Sequence, residues 1–517
     1  MNSTTFKRAM LVSGALVQYS RPPAGLGFLA GQCENVGLDY DTLDINIEIL
    51  NRLGNDTWGI MTNLVETAWD AWPESVQKQG DDLLSDLVQQ IAQSNCDVIA
   101  ITVLSYAQQI WITRFLQHLK KTLKHVPVIL GGPGVSVNIP ERYNIDPMNR
   151  IFGKYLLDNQ LAEFYAMGEG DVVFHSFLTG NYNVPGLNYV DHQETWQPQL
   201  DDLDAFPIPS YKKIKINNYR PVDGRYRVNI TGSRGCVRRC TFCDVGHLWK
   251  KFRYRSGQHL ANEILQHHRD LGITDFWLND SLINGSLKSF RELLSQLIQY
   301  KKQYPQLEPL AFGGQFIIRP KKSHPESLYR DMALAGVEII HVGIESGSEA
   351  VRDHMQKKFS NEDIDYHMTM CEKYKIKNYF LMMAGYLTET EQDFEMTLDM
   401  MRRYQKYIIN ETVTGMNFLD AMVILPNTPA WAMAEDLHIY FENQDDGYDR
   451  SWTWHSEKNP SLTFKERLRR VTVAATTAME LGYPLPGEFH FHLERQYNIM
   501  LYNHNKKKQS KVIPILA

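Results

Sequence analysis

The chain reads as an α/β protein in three stretches: a doubly wound, Rossmann-like parallel sheet, then a partial (β/α)6 barrel, then a helical C-terminal region. Three observations predict this. Short apolar runs alternate with amphipathic stretches of helical length, the pattern of parallel strands joined by crossover helices. The alternation stops at a proline-spaced stretch and then resumes. The second series holds six βα repeats in roughly two hundred residues, too few to close an eight-fold barrel. With 517 residues, 43% of them hydrophobic, the chain is long enough for about three units of ~150 residues each.

In order, Ala9–Ser13 is an apolar run read as the first buried strand. A loop follows with Pro22-Pro23-Ala24-Gly25-Leu26-Gly27, then a helix over Phe28–Val36 and a second strand over Asp39–Asp44. An insertion carrying Trp58, Trp69 and Trp72 is expected to be helical and packed by its aromatics. A helix over Asp81–Ser94 leads into the strand Asp97–Val103, and a further helix precedes Val126–Leu130 and its Gly131-Gly132-Pro133-Gly134 turn. Ligands of doubly wound sheets lie at the carboxyl ends of the strands. Ser105, Gly131, Gly132 and Gly134 fall there. Glycines at such ends permit close backbone approach to a bulky or phosphate-bearing ligand, and ordinary turn glycines are the equal alternative.

Spaced prolines and weak periodicity from Pro185 to Asp223 mark a connection. The expected boundaries are therefore 1–184 for the first domain, 185–225 for the linker, 226–429 for the barrel and 430–517 for a C-terminal helical cap. Barrel strands are expected at 227–231, 275–280, 310–316, 338–345, 379–385 and 416–425, with a helix over Gln258–Leu271. Polar groups stand at several strand ends, where a barrel builds its site: Asn279, Asp280 and Ser281, then Arg319, then Glu345. Past Pro429, Leu462–Leu481 reads as one amphipathic helix, and Trp452, Trp454 and His455 either line a pocket or anchor the cap. Phe489-His490-Phe491-His492 alternates like a short strand.

The chemistry concentrates in Gly235-Cys236-Val237-Arg238-Arg239-Cys240-Thr241-Phe242-Cys243, which holds half of the six cysteines. Three thiolates this close suit an iron–sulfur cluster, and a four-iron cubane bound by three cysteines keeps one iron open. A zinc site would recruit a fourth ligand, for which His247 is available. Disulfides account poorly for a cluster of three, which leaves one thiol odd. Cys33, Cys96 and Cys371 lie in helical or apolar contexts and are expected to be buried.

The Cys-x3-Cys-x2-Cys spacing, with an aromatic before the last cysteine, resembles the radical S-adenosylmethionine (radical SAM) superfamily. The resemblance implies a [4Fe-4S] cluster on Cys236, Cys240 and Cys243, with S-adenosyl-L-methionine on the open iron and cleaved reductively to a 5′-deoxyadenosyl radical. It implies cofactor contacts from Phe242, from Asn279, Asp280 and Ser281 to the SAM amino group, and from Glu345 and Ser346 in Gly343-Ile344-Glu345-Ser346-Gly347-Ser348. Arg319 would meet a carboxylate, and Gly385 and Pro426 would contact adenine through the backbone. The N-terminal order Pro-Pro-x-Gly-Leu-x-x-Leu-Ala, a strand ending in Asp, Gly-Gly-Pro and Gly168-Glu169-Gly170-Asp171 resembles the cobalamin (B12)-binding domain of cobalamin-dependent members, with Ser105, Gly131 and Gly132 near the corrinoid. The Asp-x-His-x-x-Gly cobalt-ligating segment is absent, since His118 is the first histidine in the chain.

These likenesses imply a transferase, with methyl transfer to an unactivated carbon as the leading reaction if cobalamin is bound. A methylthiotransferase-like or rearranging enzyme without cobalamin, and a non-catalytic iron–sulfur or zinc scaffold, are the alternatives. A flavodoxin- or ferredoxin-type electron donor and a small-molecule or peptide substrate follow as partners. The net charge of -6 argues against a nucleic-acid partner, and Lys506, Lys507, Lys508 and Lys511 read as a solvated tail. No run approaches ~18 apolar residues, so no membrane span is expected. Sparse cysteines and no evident targeting segment suggest the reducing cytoplasm.

Overall fold

The computed structural model describes residues 5–15, 20–64, 68–137, 151–305, 309–418, 421–441 and 453–485. Trp452, the Phe489–His492 segment and the lysines near the end lie outside the described residues. Two compact units emerge: Met1–Thr231 with Asn262–Trp277, and Gly232–Ala261 with Leu278–Ala517.

In the first unit, the apolar run at the start forms β1 (Arg8–Ser13), buried along nearly its whole length. It pairs in parallel with β2 (Asp39–Asp44) on one side and β3 (Val98–Thr102) on the other. β4 (Val128–Gly131) and β5 (Phe164–Ala166) continue the parallel sheet, and β6 (Leu187–Asn188) closes it antiparallel. The order is β2-β1-β3-β4-β5-β6. Its direction reverses at β1, and a doubly wound sheet of this order opens a crevice outside the carboxyl ends of β1 and β3. The helix Ala24–Val36 starts earlier than expected, directly after Pro23. It packs tightly there, because a Cβ on Gly25 would stand 2.3 Å from the Thr102 hydroxyl.

The tryptophan insertion folds as the helical segment Ile45–Leu64 and a short turn at Trp69–Ala71. Trp69, Trp72 and Trp111 pack ring on ring at 4.8–5.9 Å. The next helix, Glu74–Gln93, begins seven residues before the expected Asp81, after Pro73, whose ring presets the helical φ. The proline-spaced stretch after Pro185 is more ordered than its sequence suggests. Besides β6, it supplies Tyr211, whose hydroxyl donates to Asn229 O (2.7 Å), and Tyr219, whose hydroxyl donates to Asp44 Oδ2 (2.7 Å). Side-chain anchors replace periodicity, so no helix or strand pattern announces them. β7 (Arg227–Ile230) follows.

The second unit opens with a hairpin of β8 (Ser233–Arg234) and β9 (Arg253–Tyr254). β10 (Asp275–Leu278), whose first three residues belong to the first unit, and then β11 (Ala311–Phe316), β12 (Val337–Glu345), β13 (Lys377–Met382) and β14 (Val413–Asn417) complete the expected series. The sheet runs β14-β13-β12-β11-β10-β7, six strands in chain order, and β11 through β14 pair in parallel. The last strand lies earlier than the expected 416–425: Val413 and Thr414 start it, and past Asn417 only a single bridge from Ala421 to Ala384 continues the pairing among the described residues. Helices here start cleanly, with capping boxes at Ser360/Asp363 and Thr390/Asp393.

The C-terminal region, expected to be helical throughout, also contains an antiparallel pair, β15 (Ile439–Phe441) and β16 (Trp454–Ser456). The helix Phe464–Glu480 matches the amphipathic stretch. Trp454 and His455 sit on β16, with Trp454 buried as an anchor and His455 exposed. No helix among the described residues is long and apolar enough to cross a membrane.

Candidate metal and cofactor site

Each end of the cysteine loop is pinned. The β8–β9 hairpin closes its base, and Gly235 turns into it at φ +87°, where a Cβ would stand 2.7 Å from Lys251 O. The buried Asp280, just past β10, accepts from Gly232 N (3.2 Å) and so holds the first residue of the loop. Further along, Thr241 N donates to Met355 O (3.3 Å), Thr241 O accepts from Ala430 N (2.7 Å), and the Thr241 hydroxyl meets Tyr386 Oη (2.6 Å). Tyr386 Oη also meets His354 Nδ1 at 2.8 Å. Three segments far apart in sequence, at residues 354–355, 386 and 430, thereby restrain the residue between Cys240 and Phe242.

Cys240 is buried, and Cys236 and Cys243 are half-buried. Burial pushes all three thiols up, Cys243 to about 11, and the thiols also oppose one another's ionisation at Cys240 and Cys243. Such thiols become thiolates by coordinating metal, which displaces the proton. Against burial work the charges of Lys357, Arg238 and Arg319 at Cys236, and of Lys357 and Arg238 at Cys240. The Arg238 N–H also donates to Cys236 Sγ at 3.3 Å. Among the described residues no group of three or more His, Cys, Asp or Glu side chains stands close enough to share a single metal ion. One zinc ion with Zn–S bonds of about 2.3 Å draws its ligands into a tight tetrahedron, whereas a cubane puts each thiolate on its own iron. Three thiols on one loop, faced by three cations, fit an anionic cluster of that kind.

Around the loop, the other expected residues take different parts. Glu345 ends β12 at φ +69°, where the register with β13 slips. A non-glycine residue in the left-handed region is strained, and such strain collects at functional sites. Its Oε1 accepts from Lys357 Nζ at 2.7 Å. Asp280 keeps Oδ1 buried without a partner, and burial pushes its carboxyl up to about 6. Asn279 is exposed and Ser281 half-buried beside it. Arg319 Nη2 donates to the carbonyls of Asn284 (3.2 Å) and Gly285 (3.1 Å), while its buried Nε has no partner. Phe242, half-buried, carries Lys357 Nζ 5.4 Å above its ring.

Ser346 is wholly buried: its hydroxyl accepts from Ser348 N (3.1 Å) and its carbonyl from Arg352 Nη1 (2.6 Å), so it shapes the loop from inside. Gly385, at φ +77°, donates to Glu389 Oε1 (2.9 Å), and the Arg467 side chain fills the space a Cβ would take. Pro426 is exposed.

In the first unit Ser105, Gly131 and Gly132 meet where the loops after β3 and β4 pack on each other. Val103 N donates to Gly131 O (2.8 Å) and Gly134 N to Val103 O (2.9 Å). Gly132, at φ +102°, comes so near that a Cβ would lie 2.4 Å from Val103 O. Gly132 is thus required by the backbone of the crevice itself, whereas a Cβ on Gly131 would meet only Ala166 Cβ at an ordinary 3.6 Å. Gln109 closes the same end, its Nε2 donating to Gly134 O (3.0 Å) and its buried Oε1 left without a partner. Lys357, His354 and Gln109 carry no motif, and their part, like that of the Tyr386 hydroxyl beside Gly385, depends on burial and on distant partners.

Residues 230–401 match the radical SAM superfamily family model. The chain carries a radical SAM domain. Over 393 residues, 67% of this chain, it is 22% identical to cytidylyl-2-hydroxyethylphosphonate methyltransferase of Streptomyces wedmorensis. Over 247 residues, 44% of this chain, it is 24% identical to a tRNA-2-methylthio-N(6)-dimethylallyladenosine synthase of Carboxydothermus hydrogenoformans. It spans 65% and 51% of the lengths of these two relatives. The fold is similar to that of TsrM, a radical S-adenosylmethionine methyltransferase from Kitasatospora setae solved with cobalamin and a [4Fe-4S] cluster, at TM-score 0.59 and 15% identity over 97% of this chain and 99% of that one. It is also similar to that of OxsB, a cobalamin-dependent S-adenosylmethionine radical enzyme, at TM-score 0.62 and 15% identity over 92% of this chain and 67% of that one. The N-terminal doubly wound sheet and the six-stranded radical SAM barrel are therefore a shared architecture.

Proposed function

We propose that the chain is a radical SAM enzyme holding a [4Fe-4S] cluster on Cys236, Cys240 and Cys243 together with S-adenosyl-L-methionine, and cobalamin in its first unit. Its reaction is methyl transfer to an unactivated carbon of a small-molecule or peptide substrate. The observation that carries the reading is the pinned loop of three thiols, Cys240 buried and Cys236 and Cys243 half-buried, beside the charges of Lys357, Arg238 and Arg319. In this reading residues 1–184 hold the corrinoid, 226–429 form the radical SAM core, and 430–517 cap it. Bound there, the cluster supplies low-potential electrons for reductive cleavage of the sulfonium, near about −400 mV if it resembles ferredoxin clusters.

The chain's own residues do the rest. Asp280 and Thr241 hold the cysteine loop in place. The unpartnered Arg319 Nε offers a charge-assisted donor to a carboxylate, and the unpartnered Asp280 Oδ1 an acceptor to an ammonium. Glu345, held by Lys357, presents a carboxylate at the end of β12. Phe242 and the buried shell around Cys240 keep water from the reacting centre. In the first unit the crevice outside the carboxyl ends of β1 and β3 would hold the corrinoid, with the buried, unpartnered Gln109 Oε1 offering an acceptor to a polar ligand edge. An external flavodoxin- or ferredoxin-type donor in the reducing cytoplasm supplies the electrons.

A methylthiotransferase-like activity is the second reading, favoured by the tRNA-modifying relatives. It would call on an auxiliary cluster from N-terminal cysteines. Cys33 and Cys96 are the cysteines there, both buried, and burial raises the Cys33 thiol to about 12. The test is anaerobic reconstitution: four irons per chain, stoichiometric uptake of hydroxocobalamin, and SAM-dependent release of 5′-deoxyadenosine that Cys240→Ala abolishes. Zinc in place of iron, or cleavage retained by Cys240→Ala, refutes the reading.

A further inference from the structure

Lys357 is a buried cation that the chain goes to some length to turn inward. The residues on either side, Gln356 at φ +65° and Lys358 at φ +58°, both adopt the left-handed conformation without being glycine, a strain that persists only where the surrounding fold over-determines it. Between them Lys357 N donates to Arg352 O (2.9 Å), and Nζ reaches Glu345 Oε1 (2.7 Å) and Gly343 O (3.1 Å). The ammonium lies over the Phe242 ring, one residue from Cys243. Gly343 accommodates the pair, since a Cβ there would stand 2.6 Å from Glu345 Oε1 and 2.9 Å from Lys357 Nζ.

For stability alone the arrangement has little to offer. Burying an ammonium costs several kcal/mol in solvation, and an apolar pair of similar volume is often as stable. What Lys357 does supply is a fixed positive charge beside the cysteine loop, opposed more weakly at Cys240 by the Glu345 carboxylate. Toward Cys236 the acting side-chain charges are Lys357, Arg238 and Arg319, all positive; toward Cys240 the influence of Lys357 exceeds the opposing one of Glu345. Reduction potentials of iron–sulfur clusters follow net charge, hydrogen bonds to sulfur and exposure. We propose that Lys357 sets the reduction potential of the cluster on Cys236, Cys240 and Cys243, its buried ammonium stabilising the more negative, reduced form. Lys357 is a positioning residue in this sense: it acts through charge on the cluster and through its grip on Glu345. The inference rests on the cluster assignment above.

The test is a redox titration of the reconstituted full chain without SAM, followed by electron paramagnetic resonance, in which dithionite adds one electron to the oxidised cluster. Lys357→Gln is expected to lower the reduced-to-oxidised ratio at a given potential at least tenfold, which for a one-electron couple is about 59 mV toward more negative values. Lys357→Arg, which keeps the charge, is expected to stay near the wild type. An unchanged potential in Lys357→Gln at full cluster content overturns the proposal. If Glu345, left unpaired, prevents that variant from folding, Lys357→Met combined with Glu345→Gln removes both charges at similar volume. A smaller shift in the same direction then supports the proposal, and a wild-type potential overturns it. Failure of the wild-type chain to take up a four-iron cluster would instead overturn the functional reading.

Discussion

Single buried groups in the barrel show how much its interior depends on neutral polar partners. His367 meets Tyr329 Oη through Nδ1 (3.0 Å) and Asn378 Oδ1 through Nε2 (2.9 Å), so both ring nitrogens are satisfied in the neutral state. Burial lowers its pKa to about 4, against an ordinary value near about 6.5. The folded value is depressed, so the unfolded chain takes up the proton first, and stability is lost as pH falls below about 6.5. His367→Gln has no such titration. The destabilisation it causes at pH 8 should therefore shrink by about 2 kcal/mol at pH 5, read as the difference in denaturant midpoints. A gap that stays constant across that range would mean His367 is charged in the folded protein.

At the level of elements, the loop that carries Gly385 and Tyr386 is held by the helix Phe464–Glu480. Arg470, buried on that helix, donates through Nη1 to Glu389 Oε1 (2.8 Å) and O (3.0 Å), and Glu389 Oε1 in turn accepts from Gly385 N. Arg467 of the same helix stacks on Trp454 at 3.8 Å and occupies the space beside Gly385. Replacing Arg470 with Ala leaves Glu389 buried and unpaired, a loss of about 3–5 kcal/mol. Its neighbour Arg469 pairs with Glu391 and Glu466 in the open, so Arg469→Ala should cost less than about 1 kcal/mol. Thermal unfolding of the two variants separates them. Equal effects would mean the helix does not brace the loop.

Across the whole molecule, a cluster that binds the folded chain and not the unfolded one raises stability by mass action. Reconstitution with iron and sulfide should therefore raise the melting temperature, and chelation should reverse it. The gain should be greatest in hydrogen-exchange protection of residues 232–261, which carry the three cysteines, with β1 through β5 little changed. Protection rising equally in both units would place the metal elsewhere.

The alternation of apolar runs with helical stretches was enough to read both parallel sheets. Pairing within a βα series is local, and burial on both faces leaves continuous runs such as Ala9–Ser13 in plain view. The last barrel strand and the antiparallel pair Ile439–Phe441 and Trp454–Ser456 were harder: three to five residues carry too short a period to set an end. The cysteine spacing was legible because three ligands fall within one turn-rich loop. The positions of Asp280, Arg319 and Glu345 at or just past strand ends were legible from the same alternation.

What the sequence determined by itself is therefore whatever chemistry is written locally: the thiol spacing, the glycine turns, the order of strands and helices. Beyond Arg238, which the loop itself carries, the tertiary structure alone decided which charges surround those thiols. Lys357, Tyr386 and Arg470 come from segments over a hundred residues from the cysteines, and their roles arise from burial, where a polar group must find its partner in the fold. The motif placed Ser346 just past the end of β12, and packing decided where its hydroxyl goes, into the loop to accept from Ser348 N, because a wholly buried donor and acceptor is satisfied by its nearest neighbours.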